Sequence, residues 1–191
     1  VISGGPSAHL PFYERRDSDM DKASIPFLSA TELSRLIRAK DVSPLEATKA
    51  YLDRIDDFDY KFNSYLIVCR NQAIQAARRA EWDISRGNYL GPMHGIPVAV
   101  KDQIWAKKVR CSGGSRILTD FVPEEDATAV AYLKRAGAVL LGKTNLPEFA
   151  IGGPHRYSTT RNPWDLDKYT GGSSSGSAAA TAAYLCATSV G

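Results

Sequence analysis

Four serines and three glycines stand together in seven residues: Gly171, Gly172, Ser173, Ser174, Ser175, Gly176 and Ser177, followed at once by Ala178, Ala179 and Ala180. Glycine permits backbone conformations that other residues avoid. Serine brings hydroxyls and helix-capping oxygens, and the alanines give a helix a good start. By composition the run is a flexible linker, an anion-cradling turn at a helix N-terminus, or the serine part of a nucleophilic site. A second residue narrows the choice. Ile96, Pro97, Val98, Ala99 and Val100 form an apolar run that delivers Lys101. A lysine at the mouth of such a strand is desolvated, which disfavours its charged form and frees a neutral amine to act as a base. The plainer alternative is a lysine that snorkels to solvent. A strand-terminal lysine and a serine loop at a helix start are together the two parts of a Ser-Lys site.

Other chemistry has less support. The histidines are His9, His94 and His155. Each reads first as a surface or hydrogen-bonded structural residue, and no Gly-x-Ser-x-Gly elbow joins a strand to a helix. The spacings of zinc sites and of phosphate-binding P-loops are missing. Net charge is +3, too small to argue for nucleic acid. Cys69, Cys111 and Cys186 are odd in number and far apart, which suits free thiols in a reducing, cytoplasmic compartment. No apolar run reaches the length of a membrane span.

The elements that position these residues are legible in order. Residues 1–28 carry scattered prolines and glycines without period and read as an irregular lead-in. Ser29 with Glu32, and Ser43 with Pro44 and Glu46, mark two helix starts. Residues 65–69 read as a buried strand and 71–86 as a helix stopped by Gly87 and Asn88. Residues 95–100 form a second strand. Residues 123–136 follow as a helix with Glu124, Glu125 and Asp126 at its dipole-favoured start, ended by Gly137. Residues 138–141 make another strand, closed by residues 142–145. Continuous apolar strands alternating with helices predict an α/β fold with helices covering the sheet.

Four stretches make the pattern specific: GIPVAVKD at 95–102, GKTNLPEFA at 142–150, NPWD at 162–165 and GGSSSGSAAA at 171–180. In this order the chain resembles the amidase signature family, whose members hydrolyse amides with a Ser-Ser-Lys triad. The resemblance covers residues 29–191. Ser175 departs from it, standing where many members have glycine.

The resemblance implies a mixed central sheet with helices on both faces, incomplete at the C-terminus. It implies that 29–191 is the N-terminal part of a single domain continuing beyond Gly191. Lys101 matches the base and Ser173 the bridging serine, which in the family follows a cis peptide bond, here Gly172 to Ser173. Ser174 becomes a supporting hydrogen-bonding residue. The nucleophilic serine and the oxyanion-hole amides would follow Gly191, with Ser189 on the wrong side of that glycine. Phe149 and Ala150 become candidates for lining the acyl pocket, against an equal case for a core role. No metal or organic cofactor is implied.

The implied partners are a small-molecule amide and the remainder of the same polypeptide, with a homodimer open and neither nucleic acid contact nor a membrane span. An alternative within the family is the glutaminase component of a tRNA-dependent amidotransferase, which the long lead-in does not favour. A non-catalytic binding fragment lacking the nucleophile is the alternative from another class.

Overall fold

A computed structural model describes residues 21–151 and 156–191. Helix α1 (Ala30–Ala39) and helix α2 (Pro44–Phe62) both start on complete capping boxes. The Ser29 and Ser43 hydroxyls accept from the Glu32 and Glu46 amides, and each glutamate accepts from its serine's amide in return. Strand β1 (Tyr65–Val68) leads into α3 (Arg70–Ser85). That helix buries Ala73, Ala77, Ala80 and Ile84, one stripe at helical spacing. Strand β2 (Pro97–Lys101) is buried at every position, as a central parallel strand must be. After it come α4 (Thr128–Arg135), β3 (Val139–Thr144), the hairpin of β4 (Arg161–Asn162) and β5 (Asp165–Tyr169), α5 (Ser175–Ala182) and β6 (Thr188–Val190).

The main sheet runs β1-β3-β2-β6. β2 pairs parallel with β3 and β6, and β1 pairs antiparallel with β3, so the sheet is mixed as expected. One apolar cluster joins α1, α2, α3 and the end of α5 to Val98, Ala99, Val139 and Leu141. A smaller one holds Val100, Val109 and Cys69 beneath Val130 of α4. Helices therefore cover both faces. Among the described residues no helix is long and apolar enough to cross a membrane.

Three boundaries differ from expectation. The helix expected over 123–136 begins only at Thr128. The residues before it are bonded to a neighbouring loop instead: Pro123 accepts from the Lys108 amide, and Asp126 accepts from the Lys107 amide at 2.7 Å and the Lys134 ammonium at 2.6 Å. Strand β3 does not stop at residue 141 but continues to Thr144. Gly142 does not close it. A Cβ there would lie 2.1 Å from the Ile67 carbonyl, so the glycine lets β1 come close. Within the expected lead-in, Lys22–Phe27 is a 3-10 helix capped by Asp21, with Ile25 and Pro26 buried. Residues 1–20 lie outside the described residues.

Candidate active site

Lys101 is the last residue of β2, flanked by β3 on one side and β6 on the other. It is only 4% exposed, so it does not snorkel. Its Nζ donates to Ser173 Oγ at 2.7 Å and to Ser174 Oγ at 3.1 Å. Burial pushes its pKa below the ordinary value, because the ammonium loses water and its bonded partners are hydroxyls rather than a carboxylate.

The serine loop is fixed by α5 and the end of β3. Gly171 and Gly172 both adopt positive φ, 75° and 60°, and turn the chain out of the hairpin. Tyr169 Oη donates to the Gly172 carbonyl at 3.0 Å. Gly176, in the first turn of α5, donates its amide to the Asn145 carbonyl at 3.0 Å. A Cβ at Gly176 would lie 2.3 Å from Asn145 N and 2.4 Å from Ser64 O, so nothing larger than glycine allows this approach. Ser64 is held by Asp59, whose carboxylate accepts from the Ser64 amide and hydroxyl and the Tyr65 amide. Ser177 and Thr144 share a hydrogen bond of 2.7 Å between their hydroxyls.

The cis peptide expected between Gly172 and Ser173 is corrected. Among the described residues there is no cis bond, and two left-handed glycines make the turn with trans peptides while Ser173 still reaches Lys101. The segment from Gly172 to Gly176 does follow strand β5 with Gly-x-Ser-x-Gly spacing. Ser174 at its centre lacks the strained backbone of a nucleophile elbow (φ −97°), and its partner is a lysine rather than a histidine.

Across the sheet from Lys101 lies a constellation the sequence reasoning missed. Asp102 and Lys143 are both fully buried and form an ion pair of 3.3 Å. The Asp102 carboxylate also accepts from the Ser112 amide at 2.9 Å, and its carbonyl accepts from Cys111 Sγ at 2.7 Å. The signal was a charged residue at the end of each of two apolar strands, but pairing them requires the register that sets Val100 beside Lys143.

Of the other expected residues, Phe149 is 43% exposed and sits at positive φ, as does Ala150. The Phe149 amide donates to the Gly113 carbonyl at 2.7 Å, and its ring packs beside Gly113, in the loop that follows Asp102. These contacts tie Phe149 to the loop that follows Asp102. His94 is 2% exposed, accepts from the Leu90 amide at Nδ1 and packs against Gly137. It is structural. His9 and His155 lie outside the described residues. Ser189 is tied to the Ser177 carbonyl at 3.1 Å and the Thr181 hydroxyl at 2.9 Å. Gly191 returns to the site: a Cβ there would lie 2.8 Å from Ser174 Cβ and 2.9 Å from both Ser174 Oγ and Ser177 Oγ. All three cysteines are free and buried.

With this geometry in hand, the comparisons are specific. The family model described as Amidase matches residues 46–191. A glutamyl-tRNA(Gln) amidotransferase subunit from Carboxydothermus hydrogenoformans is 46% identical over 160 residues, covering 82% of this chain and 33% of the relative. The native peptide amidase from Stenotrophomonas maltophilia superposes with a TM-score of 0.78 at 34% identity, over 85% of this chain and 36% of that one. A fatty acid amide hydrolase superposes with a TM-score of 0.83 at 28% identity, over 89% and 31% respectively. The chain thus spans about a third of the length of the proteins it matches.

Proposed function

This chain belongs to the amidase signature family, and from that premise we propose that it supplies the base and the bridging serine of an amide-hydrolysing site. The observation that carries the reading is the 2.7 Å contact between Ser173 Oγ and the buried Lys101 amine, whose hydrogen-bond partners among the described residues are serine hydroxyls. Neutral Lys101 takes the Ser173 proton as Ser173 takes the proton of the nucleophilic serine. That serine attacks the amide carbonyl and forms an ester as the C–N bond breaks. The proton returns through Ser173 to the leaving amine, and water then releases the acid. Ser174 holds the Lys101 amine in line.

The nucleophile belongs to chain that follows Gly191. Two observations support this. β6 runs parallel beside β2 with Val100 opposite Val190, and Gly191 lies against Ser174. Chain continuing from there enters the site at Lys101. The remainder of the polypeptide is then the partner that completes the pocket. Three free cysteines fit a cytoplasmic setting.

Fluorophosphonate labelling tests this reading. A single serine adduct in the full chain that is lost in Lys101→Ala supports it. Equal labelling of the folded Lys101→Ala variant contradicts it.

A second reading narrows the substrate to the side-chain amide of glutamine. It is favoured by the 46% identity to a relative named as part of an amidotransferase, higher than to the two amidases. Glutamine hydrolysis that requires a partner protein and charged tRNA is its expected outcome. Free turnover of simple amides with no glutamine preference counts against it.

A further inference from the structure

Two lysines are buried at one end of the sheet. Lys101 pairs in register with Thr144, and Lys143 with Val100. Neighbouring residues of a strand point to opposite faces. Lys101 and Thr144 therefore share the face of α5, where they bond Ser173, Ser174 and Ser177. Lys143 lies on the other face with Asp102. The Asp102 carboxylate is thus one residue from the base, and a nearby negative charge in a poorly solvated site favours a protonated amine.

We propose that Lys143 is a positioning residue that acts through charge: its ammonium neutralises Asp102, so that the carboxylate anchoring the end of β2 does not hold Lys101 protonated. This rests on the reading of Lys101 as the base. The surroundings leave this task to Lys143. Helix α5 and strand β6 carry no charged side chain, and neither does β1. On the ion-pair face, the titratable neighbours are Cys69, between β1 and α3, and Cys111 in the loop. Burial pushes Cys69 up to about 11 and raises Cys111 as well, so both thiols stay neutral. Lys134 of α4, which also acts on Cys69, pairs with Asp126. Lys143 donates to both the carboxylate and the carbonyl of Asp102 at 3.3 Å. Ser112 satisfies the other carboxylate oxygen, which fixes the charge in place.

The test is the titration of the Lys101 side-chain carbon by NMR in the full chain with labelled lysine, the signal assigned with Lys101→Arg. Lys143→Met is expected to raise the Lys101 midpoint by on the order of one pH unit. Asp102→Asn is expected to lower it. The double variant Asp102→Asn, Lys143→Met is expected to return it close to wild type, which a purely structural role would not do. If Lys143→Met does not fold, Asp102→Asn against the double variant carries the same contrast. Midpoints that fail to separate in these folded variants, or a double variant displaced like Lys143→Met, overturn the proposal. Turnover is not read, so failure of the amide-hydrolysis reading would leave these shifts visible and is distinguishable.

Discussion

Lys101 and Lys143 leave the same end of one sheet, one from each of two adjacent parallel strands, and meet opposite surroundings. Lys143 is fully buried against a carboxylate. Lys101 is 4% exposed against two serine hydroxyls. Burial alone therefore does not decide what a lysine is for. A carboxylate partner makes it part of the scaffold, whereas hydroxyl partners leave its proton free to move. The parallel register separates the two environments by a single residue along each strand.

The comparison is broken most directly by removing each amine in turn. Lys101→Met is expected to lower amide hydrolysis by on the order of a thousandfold while leaving thermal unfolding within a few degrees of wild type. Lys143→Met is expected to cost about 3–5 kcal/mol of stability, because Asp102 is left buried and unpaired. Equal destabilisation by the two substitutions, read by denaturant unfolding, erases the distinction.

Gly176→Ala tests whether the scaffold sets the distance from Ser173 to Lys101. Its Cβ would meet rigid backbone at Asn145 and Ser64, so a loss of about 1–3 kcal/mol is expected. Turnover should fall more steeply than stability, since the start of α5 must shift. A variant with unchanged kcat refutes the close-packing argument.

Ser173→Ala and Ser174→Ala sharpen the comparison on the hydroxyl side. Loss of Ser173 breaks the proton path, whereas loss of Ser174 removes one hydrogen bond to the amine and should cost about tenfold in kcat/KM. Equal losses would make Ser174 a member of the relay.

The smallest effect concerns His94, a third buried base. Burial holds its pKa below the ordinary 6.5. The unfolded chain then binds the proton first, so stability falls as the pH drops from 6.5 through the folded pKa. His94→Gln should flatten that slope in the pH dependence of unfolding. An unchanged slope in the variant assigns the acid sensitivity to other groups.

Much of this was legible in the order of residues alone. The two capping boxes, the apolar strand that ends at Lys101 and the glycine-serine loop are all local signals, and each carries its own physical reason. The structure brings Lys101, Ser173 and Ser174 together across some 70 residues of chain. What stayed hidden needs more than local pattern. The Asp102–Lys143 pair depends on strand register. The late start of α4 depends on a loop that captures Pro123 and Asp126. Strand β5 is exposed at all five positions, so no apolar alternation announces it. The geometry of Gly172 and Ser173 follows from two positive φ angles that composition permits but does not dictate.

The central claim is that Lys101 and Ser173 act as one proton path. A double-mutant cycle on kcat/KM for amide hydrolysis, with Lys101→Ala, Ser173→Ala and both together in the full chain, tests it most directly. The account predicts that the double variant is scarcely slower than the worse single variant, because a relay already broken cannot be broken again. Losses that multiply would show two independent contributions and contradict it.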